Sequence, residues 1–425
     1  MTVLVLGSGA REHALVDRLL GDLAPPSVVC APGNPGIAAQ VPTYAVNLSD
    51  PEAMLALADA VAADVTIVGP EVPLSVGVAD RFARAGRLLL GPTQAAARLE
   101  TSKAFAKAFM QRHGVPTAAF RTCDTLDDAR AVLRGGTFGW PVVLKADGLA
   151  AGKGVVIAQT LAEAESAAVA AMAEGRFGEA GRCLVIEECL TGPEVSFFVL
   201  CDGQRGVPLG SAQDHKRIFD GDAGPNTGGM GAFAPSPLMT AAVEAEVMHQ
   251  IVQPVLRGMQ AEGHPFRGFL YVGLMLTPAG PRVIEFNVRL GDPETQVVLP
   301  RLSGDIVPLF AAAAAGDLGH HRCAMRSEVL VGVVLASRGY PDGVEDGYPI
   351  HGIEGAVARG NRVLHAGTAQ RDGRLVTAGG RVLTVVGRGV GFAEAIADAY
   401  AGVQAIHFDG MQYRTDIGAK ALTER

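Results

Sequence analysis

The chain has 425 residues, 48% of them hydrophobic, and carries a formal net charge of −8 at pH 7. This length exceeds what one ordinary hydrophobic core serves, so about three domains are expected. The acidic balance and the absence of any Lys/Arg block argue against nucleic acid or an anionic membrane as a partner. No apolar run approaches the roughly 18 residues that a membrane-spanning helix needs.

The six cysteines are scattered, with no C-x-x-C pair and no histidine at the spacing of a zinc site. We therefore predict small buried thiols in a reducing compartment, the cytoplasm. An apolar strand over residues 3–6 begins almost at the N-terminus, so no signal peptide is expected.

Residues 1–92 alternate between predicted strands and predicted helices. Strands are expected at residues 3–6, 28–30, 65–68 and 88–90, with helices such as residues 12–20 and 52–62 between them. This alternation predicts a doubly wound parallel sheet. Each strand runs into a loop that contains glycine or proline, and ligands of such sheets bind at the carboxyl ends of the strands. We therefore expect this domain to form one wall of a ligand site.

The first of these loops, Gly7-Ser8-Gly9, is only part of a dinucleotide-binding fingerprint, because the third glycine is missing. No acidic residue follows the second strand at a convincing position for the ribose of NAD. The loop suits a tight turn that holds a phosphate or a polar substrate. A nicotinamide-dependent dehydrogenase stays open as an alternative, which a test of NAD(H) binding would decide.

A single capped helix is predicted over residues 101–116, with Thr101 or Ser102 as its cap and Pro116 at its end. Lys103 falls in the first turn, where a cation meets the unfavourable end of the helix dipole. Taken alone, this lysine could equally be a solvated side chain.

A glycine-rich loop joins two predicted strands, residues 142–144 and 155–157. Its glycines and lysines are Lys145, Gly148, Gly152, Lys153 and Gly154. Glycines let the backbone approach a phosphate and point N–H groups at it, and the two lysines add positive charge. The loop is not a P-loop, because Gly154 stands where Ser or Thr is needed and a strand follows instead of a helix. We predict a hairpin that folds over a triphosphate as a lid.

A helix over residues 161–174 and a strand over residues 183–188 complete a small unit of residues 117–190. A Gly-Pro pair then breaks the chain shortly after Leu190. A backbone edge beside this apolar side chain suits an adenine, and Glu194 is available for ribose hydroxyls.

The densest polar chemistry lies in residues 194–325. An Asp-His-Lys-Arg run at residues 214–217 precedes a glycine-rich loop at residues 224–231, which suits close backbone approach. His215 in that run is typical of a solvated or capping histidine, so no catalytic role is assigned to it.

Two further strands, residues 268–277 and 282–290, are predicted around a Pro-Gly turn. The second alternates, so that Glu285, Asn287 and Arg289 share one face. The apolar residues expected to face the core are Ile284, Phe286, Val288 and Leu290. A carboxylate and an amide oxygen two residues apart are hard ligands, suited to Mg²⁺ bound together with phosphates.

The last part of the chain is predicted to contain strands at residues 329–336 and 381–386 and a helix at residues 392–405. No convincing catalytic cluster is found in residues 326–425.

Together these motifs resemble the phosphoribosylamine–glycine ligases, or glycinamide ribonucleotide synthetases, an ATP-grasp family of purine synthesis. The resemblance runs nearly from end to end. It rests on residues 7–13, 32–34, 68–71, 145–154, 213–217, 224–231, 285–296 and 409–411. Two departures, Ala10 for the expected glycine and Leu290 for the more usual phenylalanine, touch no residue to which a role is given.

The resemblance implies an α/β fold: an ATP-grasp core with an N-terminal Rossmann-like doubly wound domain, a small α+β lid domain and a C-terminal α+β domain. The expected bounds are 1–100 for the N-terminal domain, 101–325 for the ATP-grasp domain and 326–425 for the C-terminal domain. Within the ATP-grasp domain, the lid is expected over residues 117–190 and the core over residues 191–325.

The resemblance also implies roles for the residues at matching positions. The residues expected to bind ATP are Lys103, Lys145, Gly152, Lys153, Gly154, Glu187, Glu188, Leu190 and Glu194. Glu285 and Asn287 are expected to bind Mg²⁺ or Mn²⁺, while Arg289, Lys145 and Lys153 are expected to act in catalysis. The candidates for contact with the phosphoribosyl substrate are Gly9, Asn34, Asp214, Lys216, Arg289 and Asp292.

The implied reaction joins glycine to 5-phosphoribosylamine with ATP, through glycyl phosphate, and gives glycinamide ribonucleotide, ADP and phosphate. Phosphoryl transfer depends on positioning and charge neutralisation, which suits a site without an evident nucleophile. The expected partners are therefore these three substrates, and a monomer is expected.

Two further alternatives stay open, one within the enzyme class and one outside it. Another ATP-grasp carboxylate–amine ligase or a carboxylase is disfavoured by residues 213–231 taken with residues 291–296. A non-catalytic nucleotide-binding module would not need Glu285, Asn287 and Arg289, and it would release no ADP.

Overall fold

The computed structural model describes residues 1–148 and 154–423. The N-terminal strands are β1 (Thr2–Gly7), β2 (Ser27–Pro32), β3 (Val65–Val68) and β4 (Leu89–Leu90). The helices of this part are α1 (Ala10–Leu20), α2 (Pro35–Ala38), α3 (Pro51–Ala60), α4 (Glu71–Ser75), α5 (Val78–Arg84) and α6 (Gln94–Thr101). The strands pair in parallel in the order β2-β1-β3-β4.

This parallel sheet is covered on both faces, which confirms the predicted doubly wound architecture. Successive side chains of a strand point to opposite faces. Accordingly, Val3 and Val5 of β1 belong to one buried cluster, whereas Leu4 and Leu6 belong to another. Because the strands are parallel, the loops that follow β1, β2 and β3 meet at one edge of the sheet.

The capped helix predicted over residues 101–116 is present, and Ser102 is the one of the two predicted caps that begins it. Helix α6 runs through Thr101, and a new helix, α7 (Lys103–Arg112), follows at once. Ser102 caps α7, because its hydroxyl accepts a hydrogen bond from the amide of Phe105 at 3.0 Å. The change of helix direction at Ser102 leaves Lys103 in a first turn, as predicted.

A small antiparallel sheet follows, with strands β5 (Phe120–Cys123), β6 (Val142–Ala146), β7 (Val155–Ala158) and β8 (Leu184–Glu188) and helices α8 (Leu126–Arg134) and α9 (Leu161–Met172). The strand order is β5-β8-β6-β7. The predicted hairpin is present as β6 and β7, while Gly152 and Lys153, which lie between these strands in the sequence, are outside the described residues. This sheet has a core of its own, which includes Leu144, Ala168 and Ile186.

The centre of the molecule is an eight-stranded sheet in which every neighbouring pair is antiparallel. Its strands are β9 (Glu194–Asp202), β10 (Gly206–Asp214), β13 (Gly231–Ala234), β14 (Arg267–Thr277), β15 (Gly280–Asn287), β18 (Val329–Ala336), β19 (Arg362–His365) and β22 (Arg381–Gly389). They are ordered β15-β14-β9-β10-β13-β18-β22-β19. The boundary expected at residue 325 stays a prediction, because β13 and β18 on its two sides pair within this one sheet.

Three short ribbons and six helices complete the fold. The ribbons are β11 (Arg217–Phe219) with β12 (Ala223–Asn226), β16 (Leu302–Ser303) with β17 (Ala324–Met325), and β20 (Thr368–Arg371) with β21 (Arg374–Thr377). The helices are α10 (Ala241–Val247), α11 (Gln253–Ala261), α12 (Thr295–Val298), α13 (Val307–Ala315), α14 (Ile353–Ala358) and α15 (Phe392–Val403). Across residues 1–148 and 154–423, no helix is both long and apolar enough to cross a bilayer.

The predicted alternation of residues 282–290 is wrong in two respects. A β-bulge shifts the pairing of β15 with β14 around Ile284, so Val283 is buried in its place and Ile284 is partly exposed. The strand also ends at Asn287, so Arg289 lies beyond it. At this bulge, the carbonyl of Ile284 accepts a hydrogen bond from Lys145 Nζ at 3.0 Å.

The six cysteines are all free. Three of them are only partly buried, in contrast to the expectation: Cys183, Cys189 and Cys323.

Candidate active site

The loop after β1 is shaped by a buried carboxylate, Glu12 on α1. Its Oε2 accepts a hydrogen bond from the amide of Gly9 at 2.6 Å, and its Oε1 pairs with Arg11 Nε at 2.6 Å. Gly7 has φ +134°, and a Cβ there would lie 2.5 Å from Glu12 Cγ. The partial glycine fingerprint is thus a turn that closes on Glu12, a role for this acid that sequence reasoning missed.

Asn34, predicted to contact substrate, has its side chain engaged within the protein. Its Oδ1 caps α2 by accepting from the amide of Ile37 at 3.0 Å. Its Nδ2 donates to the carbonyls of Ser8 and His365, both at 2.8 Å. Asn34 therefore holds the loops after β1 and β2 together and ties them to the end of β19.

Lysines from α7 and β6 contact residues in or next to the small antiparallel sheet. Lys103 Nζ donates to the carbonyl of Gly148 at 2.7 Å. Lys145, on β6, forms an ion pair with Glu187 of β8. Gly154 lies next to β7, and its carbonyl accepts from the amide of Ala146 at 2.8 Å. Lys103 of α7 and Lys145 of β6 thus both make contacts within this small unit, while their predicted role in phosphate binding stays a prediction.

A third lysine, Lys107, was missed by sequence reasoning. It lies four residues after Lys103 on the same face of α7, a spacing that could have indicated it. Its side chain is buried and forms an ion pair with Glu187, and its Nζ donates to Thr117 Oγ1 at 2.8 Å. Burial lowers the pKa of Lys107 to about 8, although Glu187 opposes this shift. Glu187, predicted to line the adenine, is thus shared between Lys107 and Lys145.

The other residues predicted to bind the adenine and the ribose lie at the end of β8 and at the start of β9. Glu188 Oε1 accepts from the amide of Ala119 at 2.8 Å, and Leu190 follows β8 partly buried. Glu194 begins β9 and pairs with Lys216 Nζ at 2.6 Å. One predicted nucleotide residue is therefore in contact with one predicted substrate residue.

Glu285 on β15 is the carboxylate around which the predicted cations gather. Burial would raise its pKa, but the lysines Lys216, Lys145 and Lys103, together with Arg289, lower it below the usual value. The side chain is therefore ionised and available as a hard oxygen ligand.

Arg289 lies at the end of β15 between carboxylates of the N-terminal domain. Its Nη2 is 3.0 Å from Glu100 Oε1, and its Nε is 3.4 Å from Glu71 Oε2. The same Nη2 donates to Asn287 Oδ1 at 3.1 Å. Glu100 also accepts from the amide of Val288 at 2.8 Å. Burial raises the pKa of Glu100. Sequence reasoning assigned no role to either acid, although Glu71 ends one of the matching motifs, residues 68–71.

Several acidic side chains lie near Lys216, among them Asp214 and Glu194. Burial raises the pKa of Asp214, at the end of β10, to about 7, although Lys216 opposes the shift. Ser196 Oγ lies 2.8 Å from the hydroxyl of Tyr271 and donates to Glu294 Oε1 at 3.2 Å. Burial also raises the pKa of Glu294. The site therefore carries several closely spaced carboxyls that suit ammonium or amine groups.

His215 lies under this group and is almost fully buried. Burial lowers its pKa to about 4, and the nearby cations Lys420 and Arg414 act in the same direction. The expectation of a solvated or capping histidine is therefore wrong, because both ring nitrogens are buried without a hydrogen-bond partner among the described residues.

Asp292 links three parts of the chain. Its Oδ1 accepts from Gln296 Nε2 at 2.7 Å, and its Oδ2 pairs with Arg381 Nη2 at 3.0 Å. A Cβ built on Gly9 would lie 3.7 Å from the same Oδ2. Arg381 belongs to β22, in the stretch where no catalytic cluster was predicted, so only the structure reveals it.

The fold and the site define a protein of the ATP-grasp class. The biotin carboxylase domain of the 2-oxoglutarate carboxylase from Hydrogenobacter thermophilus, solved with MgADP and bicarbonate, shares this fold. It superposes with a TM-score of 0.71 over 97% of this chain and 91% of that chain, at 20% identity. Among the described residues, no group of three or more His, Cys, Asp and Glu could hold a metal ion.

The chain belongs to the phosphoribosylglycinamide synthetase family. Family models match the N domain over residues 1–100, the ATP-grasp (A) domain over residues 101–295 and the C domain over residues 330–420. The crystal structure of a phosphoribosylamine–glycine ligase from Thermotoga maritima has a TM-score of 0.85 and 34% identity, and the match covers 98% of this chain and all of that one.

Full-length curated relatives carry the same name. The phosphoribosylamine–glycine ligase of Caulobacter vibrioides is 48% identical over 427 aligned positions, which cover 100% of this chain and 99% of the relative. That of Xanthomonas axonopodis pv. citri is 49% identical over 99% of this chain and 98% of the relative. The family resemblance of the motifs is thereby confirmed.

Proposed function

We propose that the protein uses ATP to join the carboxylate of glycine to the amine of 5-phosphoribosylamine, giving glycinamide ribonucleotide, ADP and phosphate in purine synthesis. Membership of the family and the names of its full-length relatives support this reaction. The observation that carries it is the position of Glu285, an ionised carboxylate in the field of the cations Lys103, Lys145, Lys216 and Arg289.

The reaction proceeds in two steps. A carboxylate oxygen of glycine attacks the γ-phosphorus of ATP, the bond to the bridging oxygen breaks, and glycyl phosphate and ADP form. The amine nitrogen of phosphoribosylamine then attacks the acyl carbon, phosphate leaves, and the nitrogen loses one proton. Both steps depend on alignment and charge neutralisation more than on a covalent enzyme group.

The cations have separate tasks in this scheme. Lys103 and Lys145 hold the phosphates of ATP together with the backbone at Gly154, and Gly152 and Lys153 are assigned the same role although they lie outside the described residues. Arg289 stabilises the charge of the transferring phosphoryl group, because its guanidinium lies beside the predicted metal ligand Asn287.

The donor set of β15 fits a divalent cation. Glu285 supplies an ionised carboxylate and Asn287 an amide oxygen, and Mg²⁺ is commonly held by one or two carboxylates with phosphates and water completing its shell. When bound, such an ion neutralises charge that develops on the phosphates. Asn287 would need to exchange its hydrogen bond from Arg289 for this contact, so Glu71 and Glu100 then become the main partners of the guanidinium.

The remaining predicted residues are assigned to the other groups of the two larger substrates. Glu187, Glu188 and Leu190 are assigned to the adenine and Glu194 to the ribose. The phosphoribosylamine residues are assigned as Gly9, Asn34, Asp214, Lys216 and Asp292. For Asn34 the assignment rests on the loop that it holds, since its own polar atoms have protein partners. A monomer that works in the cytoplasm is part of the proposal.

The test is ADP release by the purified protein with ATP and Mg²⁺, with glycine and freshly generated phosphoribosylamine added separately and together. Release that requires both, with glycinamide ribonucleotide as product, is expected. The variant Glu285→Gln is expected to release ADP much more slowly than the wild type at the same Mg²⁺ concentration, whereas Glu244→Gln on α10 serves as a control. Release with another acid or amine, but not with this pair, would refute the substrate assignment.

A further inference from the structure

In the C-terminal part of the chain, the turn after β19 and the start of β22 contact both loops between which the amine substrate is proposed to bind. Strands β19 and β22 pair at His365 and Leu383. Beyond that pair, the amides of Ala366 and Gly367 donate to the carbonyls of Val382 and Arg381, both at 2.9 Å. The turn after β19 is therefore held against the start of β22 by backbone hydrogen bonds.

Arg381 extends from the start of β22 into the cleft between two loops of the central sheet. Its Nη1 donates to the carbonyls of Gly228 and Asp292, both at 2.7 Å. Its Nη2 pairs with Asp292 Oδ2 at 3.0 Å. The two side chains are only 22% and 17% exposed, so solvent screens this pair less than a surface pair. One guanidinium thus fixes a backbone loop and a carboxylate at once.

The two loops that Arg381 holds are pressed against each other. Gly229 has φ +115°, and a Cβ there would collide with the ring of Pro293. The amide of Gly228 donates to the hydroxyl of Tyr340 at 2.8 Å. The ring of Tyr340 in turn occupies the space where a side chain on Gly380 would lie. The hydrogen bonds that Gly228 makes with Arg381 and Tyr340 therefore both tie the glycine-rich loop to the C-terminal part of the chain.

Asp292 is held in a single orientation as a charged acceptor. Gln296 occupies one carboxylate oxygen and Arg381 the other, and the second oxygen faces the loop at Gly9. Burial would raise the pKa of Asp292, but Arg381 and Arg11 lower it, so the carboxyl stays ionised. An ionised carboxylate with fixed direction suits the N–H groups of an amine substrate.

The end of β19 also contacts the N-terminal domain, on the other side of the proposed substrate position. The carbonyl of His365 accepts from Asn34 Nδ2 at 2.8 Å, and its amide donates to His13 Nδ1 at 2.8 Å. The loop after β2 is therefore bonded to the end of β19, and the turn that follows β19 is bonded to the start of β22, where Arg381 lies.

We propose that Arg381 is a positioning residue for the amine substrate, which acts by orienting Asp292 and the loop at Gly228. The inference rests on the proposed function, since it assumes that phosphoribosylamine binds between this loop and the loop at Gly9. The nucleotide residues take their contacts elsewhere: Lys103 from Gly148, and Lys145 from Ile284 and Glu187. Loss of Arg381 should thus affect the amine substrate selectively.

The experiment compares steady-state kinetics of the wild type with Arg381→Ala, Arg381→Lys and Arg388→Ala. Arg388 lies exposed on the same strand and is the matched control. Arg381→Ala is expected to raise the KM for phosphoribosylamine about 10- to 100-fold, the effect of losing hydrogen bonds to a charged group. The KM for ATP should change less than about twofold, and Arg388→Ala should match the wild type. Arg381→Lys should recover part of the loss, because it retains the charge but not the fork of donors.

Chemical rescue separates positioning from a structural role. Added guanidinium ion should lower the KM for phosphoribosylamine in Arg381→Ala and leave the wild type unaffected. An unchanged KM for phosphoribosylamine, or an equal rise for all three substrates without rescue, would overturn the proposal. If Arg381→Ala does not fold, the same split measured in Arg381→Lys decides the question. If the wild type makes glycinamide ribonucleotide but the variants show no selective rise in the KM for phosphoribosylamine, this inference alone is refuted. If the wild type makes no glycinamide ribonucleotide, the proposed function is refuted as well.

Discussion

Glu100 is expected to control the position of Arg289, and Glu100→Gln is the perturbation that tests it. The carboxylate lies at the end of α6 and serves two donors, Arg289 Nη2 at 3.0 Å and the amide of Val288 at 2.8 Å. A glutamine of the same shape carries only one oxygen at this end. Its NH₂ group must therefore point at one of the two donors, and the charge that balances Arg289 is lost.

The expected size follows from these contacts. A buried hydrogen bond to a charged group contributes about 1.5–3 kcal/mol, and one such bond is lost. The free energy of unfolding should fall by about that amount. If the loss is expressed in the transition state for phosphoryl transfer, kcat should fall about 10- to 100-fold. Glu71, whose Oε2 lies 3.4 Å from Arg289 Nε, remains and keeps the effect below that of losing Arg289 itself.

The assay measures kcat, the Mg²⁺ concentration for half-maximal activity and thermal unfolding in the same preparation. The Mg²⁺ requirement should rise, because an Arg289 freed from Glu100 binds Asn287 Oδ1 more strongly and competes with the ion. Glu52→Gln is the matched control. Glu52 pairs with Arg81 at 2.5 Å on the exposed surface of the same domain, where an ion pair is screened by solvent.

A kcat and a Mg²⁺ requirement within about twofold of wild type in Glu100→Gln would refute this reasoning. A fall in stability alone, with unchanged kinetics, would show that Glu100 serves only the junction between α6 and β15.

Three further outcomes are expected from the titrating and charged groups of the site. In Lys107→Met, Glu187 has only Lys145 as an ion-pair partner, so the KM for ATP should be about tenfold higher than in the wild type at every pH below about 8. In the wild type, the KM for ATP should rise only as the pH passes about 8 and Lys107 loses its proton. Because the pKa of Asp214 is about 7, kcat/KM for the amine substrate should increase with pH through 7 as the carboxyl ionises, and Asp214→Asn should remove this limb of the profile. Glu285→Gln should raise the Mg²⁺ requirement by at least about tenfold, since even the loss of an outer-shell partner has that effect; an unchanged requirement would place the ion elsewhere.

The sequence by itself determined the elements whose signal is local. The alternation of apolar runs and helical segments predicted the parallel sheet of residues 1–92, because each strand and helix carries its own periodicity. The glycine-rich loop between two β-branched runs predicted the hairpin of β6 and β7. Glu285 and Asn287 could be proposed as metal ligands because a carboxylate and an amide oxygen lie on one strand, two residues apart.

Only the tertiary structure decided which distant groups meet. Glu100 and Arg289 are far apart in the chain, as are Asp292 and Arg381, and no periodicity connects them. Their contacts depend on the order of strands in the central sheet, which brings β22 beside β18 and leaves the N-terminal domain against the end of β15. The bulge at Ile284 likewise depends on how β14 pairs with β15. Pairing of this kind is set by packing over the whole molecule, because the energy of a contact does not depend on the length of chain that separates its partners.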